Sequence, residues 1–277
     1  MPEGDTIHRT ARALHAALAG RRVTRFEAVF PHLTRVDHDR PLAGRTVEAV
    51  EARGKHVLMH FSGDLVLRTH MRMHGSWHLY RPGERWQRPS HEFRIRVGTD
   101  AFEAIGFQVP VAEFLDGDAL ARQPDLQALG PDPLSPGFDA AEAVARLAAR
   151  PDMEIADALL DQRALAGVGN VFKSEVLFVT RTDPFAPVAR LDAARLARIV
   201  DVSATLLRLN VEPELPTVAG ARPGPRRTTG SLDHREPLWV YGRVGHPCRR
   251  CGTPIRKQHQ GPHTRATYWC PTCQPQT

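Results

Sequence analysis

The sequence predicts an α+β protein whose first part is mostly β-strand and whose second part is mostly α-helix. Between Arg22 and Leu115, apolar residues alternate with polar residues, a period of two that is typical of a half-buried β-sandwich or barrel. After a segment rich in Pro and Gly, residues 129–137, the apolar period becomes helical. Two Cys-x-x-Cys pairs follow near the C terminus, and they predict a small module stabilised by a metal ion.

Composition limits the class of protein. With 277 residues, 42% of them hydrophobic and 25% charged, the chain has the balance of a folded soluble protein with two domains. No apolar run is long enough to span a bilayer, and the first twenty residues carry Glu3 and Asp5 instead of the apolar core of a signal peptide. We therefore expect a cytoplasmic protein with no membrane partner.

The first expected element is an N-terminal helix. Its apolar positions recur at helical spacing, at Ile7, Ala11, Leu14 and Leu18. Asp5 or Thr6 is the expected N-cap and Gly20 the expected stop. The positive end of the helix dipole would lie beside Pro2 and Glu3, where an anion is stabilised.

Pro2 and Glu3 have a second property. Removal of Met1 would leave Pro2 as a secondary amine, a nucleophile that forms a permanently charged iminium ion with a sugar aldehyde carbon. The carboxylate of Glu3 could then transfer protons. The alternative is that the chain happens to start with Met-Pro, as many chains do.

The expected strands lie at residues 47–50, 57–59, 65–67, 77–79, 93–97 and 101–111. The expected helices lie at 139–150 and 155–161, from about Asn170 onward, and at 191–209. The stretch from Asn210 to Gly230 is rich in Pro, Gly and Arg and is predicted to be mobile.

Charge indicates a polyanionic partner. The net charge is +6 with a pI near 9.6, and residues 222–265 carry ten basic side chains against Asp233 and Glu236. The basic residues are Arg222, Arg226, Arg227, Arg235, Arg243, Arg249, Arg250, Arg256, Lys257 and Arg265. A solvated basic face would give the same count, but the overlap with the cysteine pairs favours a phosphate-binding surface.

The four cysteines of the chain are Cys248, Cys251, Cys270 and Cys273. Two close thiolate pairs match a closed tetrahedral zinc site, which a short hairpin without its own core needs in order to fold. Such a zinc ion is structural, because four protein ligands leave no position for water or substrate. Disulfides are the alternative, and they are disfavoured in a cytoplasmic chain.

Two turns are candidates for a functional role. Gly167-Val168-Gly169-Asn170 opens a helix with Asn170 as its expected cap, and the backbone N–H groups and the Asn amide there can bind an anion, although a well-capped turn would look the same. The third glycine of a dinucleotide-binding motif is missing. Lys55 follows Gly54 in a turn before a strand and is either specific or an ordinary surface lysine.

Together these motifs resemble the formamidopyrimidine-DNA glycosylase and endonuclease VIII family. The resemblance covers nearly the whole chain in the right order, and Pro2-Glu3-Gly4 is closer to the endonuclease VIII branch. The motifs are residues 1–4, 54–55, 129–134, 160–162 with 167–175, and the finger with 265–271.

The resemblance implies a fold and an activity. The fold is an N-terminal β-sandwich with its helix (1–130), a helix-two-turns-helix domain (131–235) and a zinc finger (236–277). The implied activity is that of a monomeric, bifunctional glycosylase and abasic-site lyase on damaged DNA, duplex or single-stranded, whose damaged nucleotide is flipped out of the stack. The implied substrates are oxidised bases, with pyrimidines favoured.

The resemblance also implies roles for single residues. Pro2 would attack C1′ of the deoxyribose and Glu3 would assist the proton transfers, so the strand breaks by β- and δ-elimination. Lys55 joins this catalytic group, and with Asn170 and Arg265 it would bind the phosphates near the flipped sugar.

The chain departs from the family pattern in two places. Asp5-Thr6 replaces the usual Pro-Glu, and the cysteine pairs are eighteen residues apart, two more than usual. The segment from His70 to Gly75 resembles the loop that fills the gap left by the flipped base, with Met73 as the wedge and Arg72 or His74 facing the partner base. Met73 could instead be an apolar turn residue that packs on the core.

Two alternatives stay open on the sequence. The same Pro2 chemistry could remove oxidised guanine instead of oxidised pyrimidines. The chain could also be a zinc-finger protein that binds DNA without cutting it, in which case Pro2 and Glu3 would be dispensable.

Overall fold

The computed structural model describes residues 2–211, 226–231, 233 and 235–276. These residues form two compact units, one up to Gln127 and the other from Ala128 onward. Most of the stretch that was predicted to be mobile, residues 212–225, lies outside the described residues.

The first unit is a β-sandwich with an N-terminal helix. Its elements are α1 (Gly4–Leu18), β1 (Arg25–Ala28), α2 (Pro31–Asp39), β2 (Val47–Arg53), β3 (His56–Phe61), β4 (Leu65–His70), β5 (Ser76–Tyr80), β6 (Phe93–Gly98), β7 (Glu103–Phe107), β8 (Val111–Leu115), α3 (Gly117–Ala121) and α4 (Pro124–Gln127). One antiparallel sheet has the strand order β1-β6-β7-β5 and the other β2-β3-β4-β8. A single apolar core joins both sheets to α1, as the alternating pattern predicts.

Three local predictions in this unit are wrong. Helix α1 begins at Gly4 with Glu3 in the N-cap position, so neither Asp5 nor Thr6 is the cap. Helix α2 interrupts the strand region; Pro31 at its start favours a helix, but only Leu33 of this helix is buried, so its apolar pattern is weak. The strand expected at 101–111 is two strands, β7 and β8, separated by a turn at Gln108 with a positive φ of 48°.

The second unit is helical and ends in a β-hairpin. It contains α5 (Ala140–Ala148), α6 (Ile155–Ala158), α7 (Asn170–Val179), α8 (Ala193–Val211), β9 (Arg256–Gln260) and β10 (Arg265–Trp269). Apolar side chains of the four helices form its main core, and a smaller cluster joins Phe178 of α7 to the cysteines. Within the described ranges, no helix combines the length and apolar character needed to cross a membrane.

Helix α7 binds the hairpin module through a row of buried polar side chains. The Asn170 Nδ2 donates to the carbonyl of Ala266 at 2.8 Å, and the Lys173 Nζ donates to the Thr267 Oγ1 at 2.7 Å. The Ser174 Oγ accepts from the N–H of Tyr268 at 3.4 Å. Lys173 and Glu175 have no exposed surface, so these polar contacts replace apolar packing on this face of α7.

Glu175 makes the largest set of these contacts. Its carboxylate accepts the backbone N–H groups of Trp239, Val240 and Tyr241 at 2.8, 2.9 and 2.8 Å. The hydroxyl of Thr228 donates to the same carboxylate. A buried carboxylate is stable only when its oxygens are satisfied in this way, so Glu175 fixes the chain immediately before the cysteine module.

We expect Glu175→Gln to lower the free energy of unfolding of the second unit by about 2 kcal/mol or more. The amide retains the size of the side chain but turns an NH₂ group toward backbone donors and removes the charge that strengthens these hydrogen bonds. Urea unfolding measures the change. The matched control is Glu142→Gln, whose side chain is 47% exposed and pairs with Arg146 at 2.7 Å; it should change stability by no more than about 0.5 kcal/mol. Equal effects of the two substitutions would contradict this assignment.

Candidate functional site

The N-terminal end of α1 carries the first candidate residues. Glu3 precedes the helix with an extended backbone, its side chain makes no capping hydrogen bond, and it has no exposed surface. Pro2 is half-buried beside it. The carboxylate therefore lies in a buried position at the positive end of the α1 dipole, next to the proline whose nitrogen could act as a nucleophile.

Lys55 lies in the tight turn between β2 and β3. Gly54 has a positive φ of 58° in this turn, which explains why a glycine precedes the lysine. Lys55 is half-buried, and its charge contributes to lowering the pKa of His70. The structure thus brings Lys55 close to the end of strand β4, a relation that the sequence alone did not reveal.

Two neutral histidines face each other on β3 and β4. The rings of His56 and His70 meet edge to face, with centroids 4.7 Å apart. Burial lowers the pKa of His56 to about 3, helped by the charges of His70 and Arg68. Burial also lowers the pKa of His70 to about 4, helped by Lys55, Arg72 and Arg68, against a smaller opposing effect of Asp125.

Arg68 is a buried cation beside the two histidines. Its side chain donates to Glu113 on β8 at 2.5 Å and lies 3.7 Å from Asp125. A guanidinium nitrogen also lies 3.4 Å from the Nδ1 of His56. No pattern along the chain predicts this group, because its members come from three strands and a helix.

Arg72, Met73 and His74 form one exposed turn between β4 and β5. Met73 is 51% exposed, so the alternative in which it packs on the core is wrong. The buried apolar residue of the loop is Met71, which is 1% exposed. The turn therefore exposes the apolar side chain of Met73 to solvent between the side chains of Arg72 and His74.

A cleft of about 700 Å³ opens beside this turn. Residues 71–74 line one part of it, and Arg94, Gln108 and Pro110 line the rest. The side chain of Gln108 donates to Glu92 at 2.9 Å, and that of Arg94 donates to the carbonyl of His91 at 3.0 Å. Sequence reasoning missed these three residues because they lie on β6 and the β7–β8 turn, far from residues 71–74 along the chain.

Asn170 and Arg265 come together in the second unit. Gly169 is the N-cap of α7 and Asn170 its first residue, so the sequence prediction of an Asn cap is wrong. Asn170 is 6% exposed, and its Oδ1 is buried without a hydrogen-bond partner among the described residues. Its Nδ2 binds the carbonyl of Ala266, directly after half-buried Arg265 at the start of β10.

The turn before α7 is fixed by Gln162. Its side chain accepts from the N–H of Gly167 at 3.0 Å and donates to the carbonyl of Val168 at 3.0 Å. Gly167 has a positive φ of 85°, a conformation that explains the glycine at this position. This turn places Asn170 at the helix N-terminus.

The four cysteines form one compact group. The Sγ atoms of Cys248, Cys251, Cys270 and Cys273 all lie within 4.8 Å of one another. The distance is 4.0 Å between Cys248 and Cys273 and 3.5 Å between Cys251 and Cys270. A zinc ion with four thiolates at about 2.3 Å requires sulfur atoms roughly 3.8 Å apart, so the group fits a closed zinc site.

We expect the histidine pair to make folding less favourable in mild acid. Because both pKa values are lower in the folded chain, their stabilising contribution is complete above the unfolded pKa of about 6.5 and is lost as the pH falls toward 4. The slope is at most about 1.4 kcal/mol per pH unit for each histidine. Unfolding free energies from pH 7 to 4.5 should fall less steeply for His70→Asn than for the wild type.

The matched control for this comparison is His38→Asn, because the side chain of His38 is 87% exposed. His38→Asn should leave the dependence of the unfolding free energy on pH unchanged. The carboxylates contribute equally to this dependence in the wild type and in both variants. Identical slopes for the wild type and His70→Asn would contradict the assignment of a neutral, half-buried His70.

Known proteins resemble the chain over its full length. Three domain families match: the formamidopyrimidine-DNA glycosylase N-terminal domain at residues 1–108, the formamidopyrimidine-DNA glycosylase H2TH domain at 129–219, and a zinc finger found in FPG and IleRS at 245–276. A probable endonuclease 8 2 of Streptomyces coelicolor is 44% identical and covers 99% of this chain and 94% of that protein. The DNA-(apurinic or apyrimidinic site) lyase Nei2 of Mycolicibacterium smegmatis is 41% identical, with 99% of each chain covered.

A more distant relative also matches over its full length, and a solved structure has the same fold. Endonuclease 8 of Escherichia coli is 34% identical, with 99% of this chain and 100% of that protein covered. The complex between Lactococcus lactis Fpg and DNA containing an abasic site has a TM-score of 0.81 at 24% identity, with 99% of this chain and 100% of that chain covered. The predicted α+β fold, with its β-sandwich, helical region and four-cysteine finger, is confirmed. The chain belongs to the formamidopyrimidine-DNA glycosylase and endonuclease 8 family.

Proposed function

We propose that this chain is a bifunctional DNA glycosylase and abasic-site lyase of DNA repair that removes oxidised bases, with a preference for pyrimidines. The observation that carries the proposal is the buried carboxylate of Glu3 beside Pro2 at the positive end of α1. The names of the relatives, endonuclease 8 and DNA-(apurinic or apyrimidinic site) lyase, support the activity. The sequence Pro2-Glu3-Gly4 supports the pyrimidine preference.

In the proposed reaction, the nitrogen of Pro2 attacks C1′ of the damaged nucleotide and the bond from C1′ to the base breaks. The base leaves with its electron pair and takes up a proton, which Glu3 helps to transfer. The Pro2 nitrogen, now bonded to C1′, loses its proton; its electron pair then forms the iminium C=N bond as the C1′–O4′ bond breaks and O4′ takes up a proton. The iminium ion acidifies the protons at C2′. Loss of one of these protons expels the 3′ phosphate, and a second elimination expels the 5′ phosphate.

The proposed DNA contacts come from both units. In the first unit, Lys55 would bind a backbone phosphate. In the second unit, Asn170 and Arg265 would do the same. Asn170 would do so with help from the N–H groups at the start of α7, although its Nδ2 is already bound to Ala266. The turn of Arg72, Met73 and His74 would enter the space left by the flipped base, a role for which the exposure of Met73 is suited.

We also propose that the four cysteines bind one structural zinc ion. When bound, the ion would cross-link the two Cys-x-x-Cys turns and stabilise the fold of the finger. The chain's own residues would then position Arg265, because β10 begins at Arg265 and ends at Trp269, directly before Cys270.

Borohydride trapping tests the central proposal. Reduction should link the protein covalently to DNA containing an abasic site, and peptide mass spectrometry should place the adduct on Pro2. A form with an uncleaved N-terminal extension is the control, because its Pro2 nitrogen is an amide and cannot form an iminium ion. An adduct on Lys55, or none, would overturn the assignment and favour a protein that binds DNA without cutting it.

A panel of duplex and single-stranded oligonucleotides with defined lesions tests the substrate preference. Faster removal of oxidised pyrimidines than of oxidised guanine is the expected result. The reverse order would leave the Pro2 chemistry intact and move the enzyme to the alternative substrate class.

We expect Glu3→Gln to slow base removal about a hundredfold or more, since a positioned acid or base typically contributes that factor. DNA affinity should change little, and cleavage of a preformed abasic site should be less affected because the amine alone can form the iminium ion. Single-turnover rates on both substrates measure the difference. The control is Glu48→Gln, an exposed glutamate on β2. Full activity of Glu3→Gln on a damaged base would exclude Glu3 from the mechanism.

We expect metal analysis to find one zinc ion per chain and Cys251→Ser to lose it, together with most of the DNA affinity. Arg265→Ala should retain the zinc and lose one phosphate contact, so the slope of log affinity against log salt should fall by about one unit. Arg198→Ala is the matched control, because this arginine is 63% exposed on α8 and lies outside the basic stretch 222–265; it should leave both the affinity and the salt slope unchanged. Normal DNA binding by Arg265→Ala at every salt concentration would refute its role.

A further inference from the structure

The ring of His70 closes the turn that carries Met73. His70 is the last residue of β4, and its Nδ1 lies 3.0 Å from the backbone nitrogen of Arg72, whose N–H it accepts. An Asn or Asp side chain makes the same bond to the residue two positions later when it starts a turn. The Nδ1 of His70 thus takes the place of the side-chain oxygen of Asn or Asp as the hydrogen-bond acceptor in this turn.

This bond specifies the state of the ring. Nδ1 can accept a hydrogen bond only when it carries no proton, so the proton of the neutral ring lies on Nε2. Three cations, Lys55, Arg68 and Arg72, lower the pKa of His70 in addition to burial, whereas Asp125 raises it. The edge-on ring of His56 is the other titratable group that faces it. The surroundings therefore maintain the acceptor form at neutral pH.

The turn needs such a bond because its backbone is otherwise unfavourable. Arg72 has a positive φ of 46°, a left-handed conformation that is uncommon for a residue with a side chain. At the other end of the turn, the N–H of Gly75 donates to the carbonyl of Met71 at 2.9 Å. A Cβ at Gly75 would lie 2.5 Å from that oxygen, so a residue with a side chain would not fit at Gly75 without a shift of the backbone.

We propose that His70 is a positioning residue that sets the conformation in which residues 72–74 present Met73 to DNA. The inference rests on the proposed function, because it assigns a purpose to the exposed methionine. His70 acts through Arg72 and the backbone. The buried side chain of Met71 anchors the start of the turn, and the Nδ1 bond orients the next peptide group.

Three substitutions at His70 separate this role from other roles of the ring. His70→Asn places an acceptor near the position of Nδ1, whereas His70→Gln places a polar atom near Nε2, and His70→Ala removes both. If the bond to Arg72 matters, Asn restores function and Gln does not. If the ring acts through its outer nitrogen, for example by donating to a DNA phosphate, the order is reversed.

The readout is 2-aminopurine placed opposite the lesion, whose fluorescence rises when a side chain enters the stack. Wild type and His70→Asn should give the same amplitude, and His70→Gln and His70→Ala should approach the low amplitude of Met73→Ala. Base removal by these two variants should fall about three- to tenfold, the factor expected for one hydrogen bond. His70→Ala combined with Met73→Ala should be no worse than Met73→Ala alone, because both changes remove the same contact.

The inference is overturned if His70→Gln inserts as well as the wild type, or if His70→Asn is as defective as His70→Ala. Circular dichroism and thermal unfolding of each variant check that the fold is retained, and the comparison of Asn with Gln stands even if the Ala variant is unstable. Borohydride trapping on a preformed abasic site separates the two claims. Absence of an adduct in the wild type refutes the proposed function, whereas an adduct in all variants without the expected order refutes only the role of His70.

Discussion

The carboxylate of Glu175 is the contact on which the arrangement of the second unit depends. A charged group with no exposed surface is unfavourable unless donors surround it, and three consecutive backbone N–H groups and one hydroxyl do so here. These donors belong to the segment immediately before the cysteine module. The position of that module relative to α7 is therefore fixed by hydrogen-bond geometry, which tolerates less displacement than an apolar contact.

The rest of the module follows from this attachment. Asn170, Lys173 and Ser174, the other polar residues on the same helix, bind successive residues of β10. At the far end, the buried side chain of Gln274 accepts from the N–H of Cys270 and donates to the carbonyl of Thr182, at 3.0 and 2.9 Å. The small hairpin module thus obtains a defined position from its hydrogen bonds to α7.

The sequence predicted features with local signatures and missed those that arise between distant segments. Alternating apolar residues predicted the sandwich, and the cysteine spacing predicted the metal-type cluster, because each pattern reflects its own backbone geometry. A lone glutamate such as Glu175 in a helical stretch is ordinarily a surface residue, and only the fold reveals its partners fifty-three to sixty-six residues away. The neutral pair of His56 and His70 and the position of Gln108 were unpredictable for the same reason, since each depends on strand pairing. Helix α2 was missed because its apolar pattern is weak.

Both units use the same means to position the residues that are proposed to contact DNA. A side chain that contacts a polyanion must be exposed and is often cationic, so apolar packing cannot fix its position. In each unit a polar side chain that is at least half-buried instead fixes the backbone beside the residue proposed to contact DNA: His70 binds the N–H of Arg72 next to Met73, and Asn170 binds the carbonyl of Ala266 next to Arg265. A hydrogen bond to the backbone leaves the neighbouring side chain free to contact a ligand while its Cα is held in place.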